Sequence, residues 1–165
     1  GFDGQTDGYR LLSEAEWEWL ARKAGKTRQT VFSWGNESVI PVQSANVADE
    51  SSRGQVRFFV PKYNDGYAGV APAGSFTSEP SGIHDLAGNV SEWVHDVYSI
   101  VAPTLQTVLH DPLGQQKGQV HVVKGANWRS GTITTLRPAF REGLSGGRDD
   151  VGFRIARYLY GGQNE

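Results

Sequence analysis

The side chains best suited to proton transfer near neutral pH are four histidines, His84, His95, His110 and His121. None is paired at zinc-ligand spacing. No H-E-x-x-H helix or G-x-S-x-G elbow accompanies them. His84 precedes Asp85 and His95 precedes Asp96, beside a possible metal loop, but turn and surface positions account for all four. The chain has no cysteine, which excludes disulfides, thiolate metal sites and a cysteine nucleophile within it. Toward the C-terminus, Arg137 and Arg141, four apart, and Arg154 are expected to hold the closing loops through carboxylates, which the planar guanidinium grips bidentately.

These groups must be positioned by few regular elements. The 165 residues suit one domain with a sizeable core. A net charge of −2 argues against a dedicated nucleic-acid binder. No apolar run approaches a membrane span, and no leader-like segment opens the chain. There is no methionine, so the chain reads as a fragment, a processed form or an excised domain. With 21 glycines and 18 aromatic residues, it should be rich in loops pinned by rings.

One helix is well marked. Ser13 and Glu16 form a capping box, Trp17, Leu20, Ala21 and Ala24 follow at helical spacing, and Gly25 supplies the stop. Tyr9–Leu12 should be a short strand leading into it. A short helix is expected over Leu86–Trp93, and strands over Val120–Lys124 and Val151–Arg157. In the last of these, Phe153 and Ile155 should share one face and Arg154 the other. Trp17, Trp93 and Phe153 are expected in the core, and Trp128 is weighed between core and ligand contact.

Several motifs then stand in order. They are Gly8–Trp19, Phe32–Asn36, Ala45–Val47, Asn64–Tyr67, Ala71–Phe76, Gly82–Trp93, Val123–Trp128, Leu136–Arg141 and Val151–Arg154. This string resembles the formylglycine-generating enzyme family, the sulfatase-modifying factor domain, over nearly the whole chain. The resemblance implies an α+β fold, an irregular, loop-rich variant of the C-type lectin fold, forming a single domain over residues 1–165. Family members usually begin well before the Tyr9-Arg10-Leu11 stretch, so the N-terminal portion is expected to be missing. In this fold Asn89-Val90-Ser91 lies in a tight loop, and its match to the glycosylation sequon is read as accidental.

The resemblance also locates chemistry. Family oxidases bind copper through two cysteines shortly after a glycine-rich motif, which here reads Gly125-Ala126-Asn127-Trp128. The following loop, Arg129–Thr135, carries only hydroxyls in place of thiolates, so copper and cysteine oxidation are not expected. It implies one or two structural calcium ions. The first would be held by Asn46, Val47, Asp65 and Tyr67, the second by Asp85, Gly88, Val90 and Glu92. Their side-chain and carbonyl oxygens suit calcium. The second set is preferred, being close in sequence. A ligand-binding face is implied between Asn127 and Asp150, carrying Asn127, Trp128, Arg129, Ser130, Thr132 and Arg148.

The leading expectation is a calcium-stabilised binding or accessory module without cysteine-oxidase activity. It would serve an unidentified protein or small-molecule ligand, within a larger multidomain protein and in a setting that can be extracytoplasmic. The alternatives are an enzyme or maturation factor of different chemistry, of the non-haem-iron or siderophore type, using groups outside this chain, and a retroelement-diversified ligand-binding protein.

Overall fold

The computed structural model describes residues 8–100 and 117–157, so His110 lies outside the described residues. Strand β1 (Arg10–Leu11) leads into helix α1 (Glu14–Arg22). The Ser13 hydroxyl accepts from the Glu16 amide, while the Glu16 carboxylate accepts from the Ser13 amide, as the capping box requires. Gly25 follows in the left-handed region at φ 71°, where a Cβ would lie 2.6 Å from the Pro80 carbonyl carbon.

A long irregular stretch then runs to residue 90, interrupted by one 3-10 turn (Glu50–Ser52). The remaining elements are β2 (Ser91–Val97), β3 (His121–Lys124), β4 (Arg141–Leu144), β5 (Val151–Phe153) and β6 (Ile155–Ala156). A four-stranded sheet has the order β4-β3-β2-β5, antiparallel except for the parallel β2–β5 pair, and β1 pairs with β6.

Two apolar clusters support this frame. Trp17 and Ala21 of α1 pack with Leu12, Leu86, Val94 and Val122 against the sheet. The second cluster comes largely from loops and includes Phe32, Val47, Tyr63, Ala126 and Leu136. The buried Lys124 joins α1 to the sheet through Glu14 and Glu18 at 3.4 and 3.2 Å.

Three expectations are corrected. Residues 86–93 are not a helix: Asp85 and Asn89 have φ of 64° and 74°, which breaks a right-handed helix, and β2 begins at Ser91. The last strand divides into β5 and β6, in different sheets. The alternation of Phe153, Arg154 and Ile155 is kept, but its faces are inverted. Phe153 and Ile155 are 67% and 58% exposed, whereas Arg154 turns inward to the buried Glu92. The inward position is set by the charge waiting there. Trp93 is half-buried, edge-on to His121 at 6.5 Å. Strand β4 was not marked in the sequence, because all four of its residues are half-buried and show no alternation.

Candidate functional site

The site begins where β3 ends beside the start of β2. After Lys124 the chain turns at Gly125, φ 84°, where a Cβ would lie 2.8 Å from the Trp17 ring. The Trp17 indole donates to Glu92 Oε2 at 2.7 Å, and Glu92 accepts from Arg154 Nε and Nη2 at 2.6 and 2.5 Å. Helix, sheet and final strands thus meet on one buried carboxylate directly beneath the turn.

Asn127, buried beyond that turn, organises a polar floor. Its Nδ2 donates to Ser91 Oγ at 2.9 Å and to Asp150 Oδ2 at 3.1 Å. Its Oδ1 accepts from the Arg129 amide at 2.9 Å. Arg148 donates to Asp150 through Nε and to Glu142 through both terminal nitrogens. Glu142 first, then Asp150, holds the guanidinium in its charged form. Ser91 in turn donates to the Gly125 carbonyl at 2.8 Å.

Above this floor lies an open cleft of about 470 Å³, within the range of small-ligand pockets. Of the face expected from sequence, Asn127, Arg129, Ser130, Thr132 and Arg148 line it, joined by Glu142 and Asp150. Trp128 stands behind this wall: its ring carries the Arg129 guanidinium at 4.2 Å, and its Nε1 is buried without a partner. Arg57 and Phe58 also line the cleft. They are fixed by Gly131, where a Cβ would fall 2.0 Å from the Phe58 carbonyl oxygen. Nothing in the spacing of residues 53–60 linked them to a loop more than seventy positions later.

The two expected cation sets differ in how far they assemble. Asn46 is fully buried, and its Nδ2 donates to Gly69 O and Asn89 Oδ1, leaving Oδ1 buried without a partner. Asp65 accepts from the amides of Val47 and Tyr67 at 2.9 and 2.8 Å. The whole first set is therefore close together. The buried Asp49, not foreseen as part of it, accepts from the Asp65 amide at 2.5 Å. Burial, and then repulsion from Asp49, pushes the Asp65 carboxyl up to about 6 against its two amide bonds.

In the second set, Asp85 Oδ1 is likewise buried without a partner, and its Oδ2 accepts from the Gly74 amide. Gly88 lies against Asn46, where a Cβ would meet the Asn46 carbonyl oxygen at 2.2 Å. Val90 is half-buried beside Gly152. Glu92, however, directs both oxygens to Arg154 and Trp17. The middle of the loop, at Gly88 and Asn89, lies against Asn46 of the first set, but the Glu92 carboxylate is engaged elsewhere.

The remaining sequence candidates settle into structural roles. His84 Nδ1 lies 2.8 Å from the Phe76 carbonyl, and His121 packs on Trp93. Among the described residues no three His, Cys, Asp or Glu side chains form a metal-sized cluster. Asn89 is buried and exchanges hydrogen bonds with Ala71, consistent with an accidental sequon. Arg141 and Arg154 pair with Glu14 and Glu92, as expected of loop-holding arginines. Arg137 is exposed and forms no ion pair among the described residues.

The sulfatase-modifying factor enzyme 1-like domain matches residues 3–159. A formylglycine-generating enzyme from Thermomonospora curvata is 34% identical over 131 residues, covering 73% of this chain and 39% of that protein. The mouse protein named inactive C-alpha-formylglycine-generating enzyme 2 is 31% identical over 159 residues, covering 90% of this chain and 43% of that one. This chain thus spans about two fifths of the length of these relatives. Among solved structures, Treponema denticola variable protein 1 superposes with a TM-score of 0.73 at 24% identity, over 94% of this chain and 50% of that one.

Proposed function

Because the chain belongs to the sulfatase-modifying factor enzyme 1-like family, we propose that it is a binding or accessory module without cysteine-oxidase activity, working through the cleft above Asn127. The observation that carries this reading is the state of the cleft floor. Asn127, Ser91, Glu142, Arg148 and Asp150 are all bonded to one another or to the main chain. Catalysis needs a nucleophile or base poised toward the substrate. These groups instead form a rigid, self-satisfied platform, which favours recognition. The Arg129–Thr135 loop offers hydroxyls, which are poor partners for the copper of the family's oxidases. The relative named as inactive supports the absence of oxidase activity.

The module would be stabilised by calcium. The oxygen donors of the first set suit a hard cation, and the buried, unpartnered Asn46 Oδ1 and the mutually repelling Asp49–Asp65 pair both support this reading. Asn46, Val47, Asp65 and Tyr67 would hold it, with Asp49 in support. The ion would neutralise the facing carboxylates and tie three loops together. The commitment of Glu92 to Arg154 moves preference from the second set to the first.

The direct test incubates the protein with a Cys-x-Pro-x-Arg peptide, copper, oxygen and reductant, beside a working oxidase, and follows the peptide by mass spectrometry. No aldehyde is expected. Conversion of the cysteine would overturn the non-oxidase reading.

A further inference from the structure

Three guanidinium groups near the cleft lie over aromatic rings. Arg53 is 5.1 Å from the Phe59 ring, Arg57 is 5.0 Å from Phe58, and Arg129 is 4.2 Å from Trp128. Arg57 and Arg129 both line the cavity. Their charges are placed differently from that of the floor. Arg148 is neutralised there by Glu142 and Asp150. Arg129 has only an exposed pair with Asp149, at 44% and 67% side-chain exposure, and such pairs are weak and easily exchanged. Arg57 is exposed and has no ion pair among the described residues. The cleft therefore combines an internally balanced floor with positive charge on the exposed lining residues Arg57 and Arg129.

The stacking has a consequence for recognition. A guanidinium over a ring has one face covered while its in-plane N–H groups can still donate, as Arg129 Nη2 does to Asp149, which is the arrangement that meets a carboxylate edge-on. Phe58 is 55% exposed beside Arg57, and Val56 and Phe140 extend the apolar surface. Gly131 holds the two loops in contact, so their spacing is built in.

Resting on the binding reading above, we propose that this cleft selects a carboxylate-bearing peptide segment with an adjacent aromatic residue, gripped between Arg57 on Phe58 and Arg129 on Trp128. The cavity accommodates two or three residues of such a segment. Arg57 and Phe58 supply the selectivity, while the Asn127 floor supplies the shape.

The test uses three blocked peptides, acetyl-Asp-Phe-Asp-amide, acetyl-Asn-Phe-Asn-amide and acetyl-Lys-Phe-Lys-amide, with phenylacetate as a free carboxylate. Each is titrated into the isotope-labelled protein, and the amide resonances of residues 56–58 and 127–132 are followed. The acidic peptide should bind at least tenfold more tightly than the neutral one, and the basic peptide more weakly still. Arg57→Gln should remove that preference, bringing the affinities for the acidic and neutral peptides together. Arg57→Glu should reverse it toward the basic peptide, an outcome that misfolding does not produce. Phenylacetate binding as tightly as the acidic peptide would support carboxylate recognition but overturn the peptide assignment. Equal binding of acidic and neutral peptides would overturn charge selection while leaving the binding cleft intact. If no probe of any charge shifts these resonances, the cleft reading falls with it.

Discussion

Replacing Glu92 by Gln separates two roles that one carboxylate can play. Glu92 is 4% exposed and accepts three hydrogen bonds, two from Arg154 and one from the Trp17 indole. The Arg154 side chain is itself only 22% exposed. Removing one charge from a buried pair costs about 3–5 kcal/mol, because the remaining charge is left without compensation. Glutamine keeps one acceptor oxygen, so the lower end, about 3 kcal/mol, applies. For a domain of this length each kcal/mol moves the midpoint by about 2–4 °C, which gives a fall of roughly 6–12 °C. Urea and thermal melts should be run with calcium and with chelator. The loss should be equal in both, because the carboxylate serves the helix–sheet junction. Adding Arg154→Met to the same chain should recover part of the loss, since a Gln–Met pair leaves no buried charge. A loss below about 1 kcal/mol, or a calcium-dependent increment that vanishes in Glu92→Gln, would refute the assignment of Glu92 to the ion pair.

Other consequences follow from the same geometry. Chelation should lower the melting temperature and calcium should restore it, and in Asn46→Ala the two melts should coincide; unchanged calcium dependence in that variant would remove Asn46 from the site. In the absence of metal, the raised Asp65 carboxyl binds more protons in the folded than in the unfolded chain between about pH 4 and 6. Its contribution to stability therefore falls as pH rises through that window. Urea melts with chelator at pH 5 and 7 should show this, and Asp65→Asn should flatten it. With calcium bound the sign reverses, because protonation now displaces the ion. Gly131→Ala should cost about 1–3 kcal/mol, since its methyl group must displace the Phe58 main chain. Amide exchange at residues 58 and 59 should accelerate in that variant, and unchanged exchange there would show that Gly131 does not hold the wall.

What was legible in the sequence was local or carried by motif. The capping box at Ser13 and Glu16, the stop at Gly25 and the strand at 121–124 depend on neighbours a few residues away, and each formed. The order of motifs named the family because turn glycines, asparagines and aromatic residues recur where the fold requires them. Five of the six residues expected on the binding face line one cleft for the same reason: residues 127–132 are one loop that follows the turn at Gly125.

What only the tertiary structure decided involves partners far apart in the chain. Residues 86–93 were expected to form a short helix, yet Asn89 is drawn into Asn46 and Ala71, and the following residues are pulled into a sheet by β3 and β5. Phe153 was expected inside, but a buried Glu92 claims Arg154, and strand alternation then sends Phe153 outward. Asp49 joined Asp65 across sixteen residues, and Arg57 reached the Asn127 cleft across seventy. Spacing along a chain specifies which face of an element a residue occupies. Which charge, carbonyl or ring waits opposite that face is set by long-range packing, and in a loop-rich fold most of the site is made there.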